Sequence, residues 1–199
     1  VTGAPGMGPM RVGVAISDTS AGMFLGQGIL LALLHRERTG EGQWVHTSLL
    51  EAMLSKLDFQ GARYTMDGEV PTQQGNDHPT QVPMGTFEAQ DGYVNIAAFG
   101  SHMWQRFCDA LGAEALFEHP GYQRVSERVG KREQIKEDMN RITRTFTVVD
   151  LVQRLNDAGV PCGPINDIGQ AFEDPQVRHL TMAKPAEHPQ LGDVNLVRS

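Results

Sequence analysis

Val12-Gly13-Val14-Ala15-Ile16-Ser17-Asp18-Thr19-Ser20, running on from Ala21 to about Arg38, is the stretch on which the reading of this chain turns. The apolar run to Ser17 predicts an extended segment. From Asp18 the period changes: Met23, Phe24, Gly26, Ile29, Leu30, Leu33 and Leu34 recur at helical spacing. Gly40 and Gly42 stop the helix, and Arg36 and Arg38 in its last turn complement its dipole. Asp18 therefore falls where a strand is expected to give way to a helix N-terminus. Such a position can hold an anion exposed, oriented and ready to react. The simpler reading of Asp18 is a helix N-cap, with Ser17 and Thr19 as competing caps. Gly22 and Gly26 lie one turn apart and leave room for another backbone to approach.

Outward from this stretch, residues 1–11 read as Gly/Pro-rich loop. A second helix is expected from about Thr47 to Met66, carrying Leu49, Leu50, Met53, Leu54 and Leu57. Residues 67–83 are polar, with three prolines and two glycines, and read as a linker or loop. Thr86 to Gln90, the turn Asp91-Gly92, and Tyr93 to Ala97 predict a hairpin. A helix from about Ser101 to Leu111 should carry Met103, Trp104, Phe107, Cys108 and Leu111 on one face. Two more are expected over Arg132–Thr145 and Val148–Ala158. The charged run Glu127-Arg128, Lys131-Arg132-Glu133, Lys136-Glu137-Asp138 mixes signs at i,i+4 spacing and reads as a solvated helix face. Pro161-Cys162-Gly163-Pro164-Ile165 reads as a tight turn, which makes Cys162 a turn residue rather than a nucleophile. Asp167 to Glu173 is a short helix ended by Asp174-Pro175. The tail from Thr181 reads as strands split by Leu191-Gly192-Asp193.

The chain has 199 residues, 40% of them hydrophobic and 21% charged, which is ordinary globular composition. A net charge of -7 disfavours generic binding to nucleic acid or to an anionic membrane surface. No uninterrupted apolar run approaches the roughly 18 to 20 residues of a membrane span. Cys108 and Cys162 form no CxxC pair, so a reducing cytoplasm is the default. The seven histidines show no paired metal-ligand spacing, and no metal is expected. Val1 and the loop-like Thr2-Gly3-Ala4-Pro5 read as the interior of a longer chain, as does the strand-like end, Val194 to Ser199.

Several segments together resemble the family III CoA-transferases, the CaiB/BaiF family. They are Thr2-Gly3 with Gly8-Pro9, Gly13 to Asp18, Gly22 with Ile29 and Leu33, and Arg38-Thr39-Gly40-Glu41-Gly42-Gln43. Asp91-Gly92-Tyr93, Trp104 and Gly159-Val160-Pro161-Cys162-Gly163-Pro164-Ile165-Asn166 complete the set. The resemblance spans nearly the whole chain and takes in formyl-CoA transferase, dicarboxylate CoA-transferase and alpha-methylacyl-CoA racemase relatives.

The resemblance implies an α/β fold present in part. Residues 1–66 would end the N-terminal half of an incomplete Rossmann-like large domain and supply connecting helices. Residues 67–83 would be the linker or loop, 84–180 a small α+β domain of hairpin and helices, and 181–199 the return toward the large domain. It implies an interlocked homodimer of full-length chains, with acyl-CoA and carboxylic acid substrates, coenzyme A as substrate rather than resident cofactor, and a cytoplasmic location. Asp18 lines up with the family's catalytic aspartate, which forms an anhydride and then an aspartyl-CoA thioester. A loop that closes over the reacting centre in relatives places Gly75, Asn76 and His78 as candidate substrate or CoA contacts. Here that loop carries a single glycine. Two alternatives stay open. One is 2-methylacyl-CoA racemisation with the same aspartate moving a proton; racemases tend to carry a glutamate where Gly100 stands. The other is a dimerisation or scaffold piece without catalysis.

Overall fold

The computed structural model describes residues 1–198. Ser199, expected to end a strand, lies outside them. The chain divides into two compact units, residues 1–76 and 77–199.

The first unit is helical. It holds α1 (Ile16–Thr39), α2 (Leu49–Ser55) and α3 (Phe59–Asp67). The expected strand over 12–17 does not form: Gly13 and Val14 make a bend and the helix begins at Ile16. A lone extended segment has no ladder partner for its N–H and C=O groups, whereas the helix satisfies them internally. Gly40, in the left-handed conformation, closes α1 by donating to the Arg36 carbonyl. The single helix expected over 47–66 is two helices, because Asp58 takes a positive φ of 50° and breaks the ladder. Ser48 caps α2 by accepting from the Glu51 N–H.

α1 buries only Ser20 and Ala21. Leu30, Leu31 and Leu34 stand exposed, as do Leu50 and Leu54 on α2. By length and composition α1 is apolar enough to cross a membrane. A Cβ placed on Gly22 or Gly26 would meet nothing within 4 Å. The close approach lies instead at Gly28, where a Cβ would stand 2.7 Å from Val45 Cγ1.

The second unit holds a three-stranded antiparallel sheet, β1 (Met84–Glu88), β2 (Tyr93–Ala97) and β3 (Cys162–Pro164), in the order β1-β2-β3. Phe87 faces Val94 and Gly85 faces Ile96 across the hairpin, so every second residue enters the core. After β2 come six helices, with β3 between the fifth and the sixth. They are α4 (Gly100–Leu111), α5 (Glu114–Phe117), α6 (Val125–Gly130), α7 (Arg132–Thr143), α8 (Val148–Asp157) and α9 (Ile168–Glu173). α10 (Pro175–His179) comes next, and β4 (Ala183–His188) pairs with β5 (Gly192–Val197) as a separate ribbon. The core gathers Phe87, Val94 and Ile96 from the sheet with Phe107, Ile135, Met139, Leu151 and Leu155 from the helices.

Three expectations change here. Within the expected turn Pro161 to Ile165, Cys162–Pro164 forms the third strand. Ala97 N donates to the Pro161 carbonyl and Ile165 N to the Tyr93 carbonyl, so the edge of β2 recruits it. Asp174-Pro175 does end α9, but Asp174 also caps α10 by accepting from Gln176 N and Val177 N. The charged run is not a uniformly solvated face. Arg128 is completely buried, and Arg132 and Lys136 reach back to residues 77–79. A residue's solvent partner is set by what packs over its helix, which i,i+4 spacing does not encode.

Candidate active site

Asp18 is the third residue of α1 and is exposed. The N-cap position belongs to Ala15, whose side chain cannot cap. Thr19 Oγ1 donates back to the Ala15 carbonyl at 3.0 Å, so it is no cap either. Ser17 Oγ donates to Asp18 Oδ2 at 3.1 Å. The capping reading of Asp18 is thereby corrected. Its carboxylate is held by a neighbouring hydroxyl, not consumed by the helix backbone. A carboxylate in the first turn of a helix gains about 0.3–1 kcal/mol from the dipole at the surface. The arrangement presents a carboxylate to solvent with one hydrogen bond steadying it. In the sequence Ser17 reads only as a competing cap; its adjacency to Asp18 is the signal for its role as donor.

The loop candidates fall in both units. Gly75 takes a positive φ of 62° and its N–H donates to the Gly3 carbonyl at 2.9 Å. Gln73 Nε2 ties the same segment to the Thr2 and Gly8 carbonyls at 2.6 and 2.7 Å. Asn76 is exposed. His78 belongs to the second unit and is half-buried. Its Nδ1 accepts from Gln81 N at 3.1 Å and Thr80 N at 3.3 Å. Its carbonyl accepts from Arg132 Nη1 at 2.7 Å. Burial first, and the Arg132 charge second, hold the imidazole below its ordinary pKa, which suits a ring nitrogen that accepts. No hydrogen bond joins Asp18 to Gly75 or Asn76.

Neither cysteine is poised as a nucleophile. Burial, chiefly, pushes the Cys108 thiol up to about 12, and burial also raises Cys162. Among the described residues no group of three or more His, Cys, Asp or Glu side chains is gathered to hold a metal.

The model of CoA-transferase family III matches residues 1–199. The chain is 35% identical over 192 residues to the succinyl-CoA:mesaconate CoA-transferase of Haloarcula hispanica, covering 95% of this chain and 47% of that protein. It is 32% identical over 178 residues to the succinate–glutarate CoA-transferase of Agrobacterium fabrum, covering 89% of this chain and 44% of that protein. It spans about half the length of the curated relatives it matches. Among solved structures it is similar to a CaiB/BaiF family protein from Brucella suis. There the TM-score is 0.78 at 30% identity, over 100% of this chain and 55% of that one. A Mycobacterium tuberculosis protein, 20% identical with a TM-score of 0.84, shares the fold over 100% of this chain and 52% of its own. The mixed helix-and-strand architecture and the motif set both fit these matches, and the chain belongs to CoA-transferase family III.

Proposed function

We propose that the polypeptide carrying this chain transfers coenzyme A between an acyl-CoA donor and a carboxylic acid acceptor, with Asp18 as the nucleophile. The observation that carries the proposal is the exposed Asp18 carboxylate in the first turn of α1, left free of backbone capping. Family membership and the printed names of the matched transferases support it.

The chemistry follows from the acceptor. Because the acceptor is itself a carboxylate, an enzyme carboxylate can stand in for it. Asp18 attacks the donor thioester carbonyl, and CoA thiolate leaves to give a mixed anhydride. The thiolate then attacks the aspartyl carbonyl, the donor acid departs as its carboxylate, and an aspartyl-CoA thioester remains. The acceptor carboxylate attacks that thioester, again expelling the thiolate. The thiolate attacks the acceptor's carbonyl, forming the new acyl-CoA and restoring Asp18. A thioester is kept at each resting stage, so the bond energy that hydrolysis would discard is conserved.

Gly75 and Asn76 are the loop residues left accessible for substrate contact. His78 already spends Nδ1 and its carbonyl on the loop and α7, which argues against a substrate role. The exposed apolar side chains of α1 and α2 support association of complete chains into a homodimer. A cytoplasmic setting agrees with two thiols that form no disulfide.

The test uses the complete polypeptide with succinyl-CoA, a panel of carboxylates, and hydroxylamine to trap the enzyme-bound thioester. Acyl exchange that disappears in Asp18→Ala is expected. Unchanged exchange in Asp18→Ala would overturn the assignment. So would proton exchange at C2 of a 2-methylacyl-CoA without acyl exchange.

A further inference from the structure

Arg128 is the one arginine in the second unit that is fully enclosed, and it is only half used. Its Nη1 donates to the Tyr122 carbonyl at 2.9 Å. Its Nε and Nη2 have no hydrogen-bond partner, and neither does the indole Nε1 of Trp104. The two side chains lie together, with the guanidinium carbon 5.6 Å from the indole ring centroid. Trp104 is in turn stacked on Phe107 at 5.8 Å and set edge-on to Tyr122 at 6.2 Å, so the pair is rigidly framed. Among the described residues, no salt bridge gives Arg128 a carboxylate.

A buried cation without a counter-charge is costly, and buried polar atoms without partners are rare in native proteins. The chemistry of the unused atoms is specific. Nε and Nη2 form one edge of the guanidinium, with two parallel N–H groups spaced to meet the two oxygens of a carboxylate. Arg128 and Trp104 both line a cavity of about 310 Å³. Its other polar walls are Ser101, His102, Gln105 and Gln123, and no acidic side chain lines it. Ser101 and His102 belong to the first turn of α4, whose N-terminus has no side-chain cap and no acidic residue. The dipole there also favours an anion.

We infer that this cavity is a binding site for a small monocarboxylate, held side-on by Arg128 Nε and Nη2 with Trp104 Nε1 as third donor. One buried positive charge among otherwise neutral walls matches one negative charge on the ligand. The donors have no solvent contact, so entry requires the cavity wall over them to open. The site is built wholly from the second unit and does not depend on the role proposed for Asp18.

The complete polypeptide, labelled with ¹⁵N at tryptophan indoles, is titrated with sodium propionate, sodium chloride and sodium phosphate at matched ionic strength. The Trp104 signal is assigned with Trp104→Phe. Trp44, 88% exposed, is the internal control. Propionate should move the Trp104 N–H signal saturably while Trp44 stays put, and Ser101→Phe, which fills the cavity from an exposed position, should weaken the response about tenfold or more. The inference is overturned by no saturable Trp104 shift, by an equal response to chloride or phosphate, or by an unchanged response in Ser101→Phe. Because the readout is an indole N–H, this result and the loss of acyl exchange in Asp18→Ala are read separately.

Discussion

Lys136 Nζ sits 2.8 and 2.9 Å from the two carboxylate oxygens of Asp77, joining α7 to the segment that enters β1. The Asp77 side chain is 11% exposed and that of Lys136 28%. One helical turn earlier, Arg132 donates to the His78 and Pro79 carbonyls. Two cations on one face of α7 thus hold residues 77–79, and Asp77 also forms a bridge with Gly85.

Removing one partner of this pair leaves the other partly buried and uncompensated. Asp77→Ala should therefore lower the unfolding free energy by about 1–3 kcal/mol. Urea unfolding in a double-mutant cycle with Lys136→Met measures the coupling; additive losses would show that the pair contributes nothing of its own.

His78 makes stability depend on pH. Its folded pKa lies below the ordinary 6.5, so the folded chain prefers the neutral ring while the unfolded chain takes up a proton near 6.5. The contribution is complete above about 6.5 and is lost as pH falls from there through the depressed folded value. His78→Gln should flatten the stability profile between pH 7 and pH 5, measured by thermal unfolding. A profile identical to wild type would refute the assignment.

Thiol chemistry should be quiet. Burial raises both Cys108 and Cys162, so native protein at pH 8 should react slowly with a disulfide reagent, Cys108 slowest of all. Unfolded protein should react rapidly at both. Fast native labelling of Cys162 would reopen a nucleophilic role for it.

Two glycines of α1 should respond oppositely to alanine. Gly26→Ala meets open space and gains up to about 1 kcal/mol of helix propensity. Gly28→Ala drives a methyl against Val45 Cγ1, so it should gain less or destabilise, and Val45→Ala should restore the gain. Equal midpoints for the two alanine variants would show that the contact yields freely.

Local signals were readable where a few neighbouring residues settle the energetics. Asp91-Gly92 between alternating runs predicts a hairpin, and β1 and β2 form one. The same turn does something no local pattern encodes: Asp91 Oδ1 accepts from Val148 N at 2.7 Å, docking the hairpin onto the start of α8. The strand expected before Asp18 failed for the converse reason, since an extended segment is stable only with a partner edge. Asp58 broke the second helix through a backbone conformation that spacing cannot reveal.

The amino-acid sequence by itself determined the family, the hairpin, the core face of α4 with Trp104, Phe107 and Cys108, and the position of Asp18 at the start of a helix. Those follow from motif identity, periodicity and turn chemistry, which are properties of short stretches. Only the tertiary structure decided that Ala15, not Asp18, takes the cap position, that Cys162 joins a sheet, and that a charged run divides between solvent, loop and core. Burial and partnership depend on which distant segments pack together, and for Arg128 that packing turned a surface-like charge into an enclosed one.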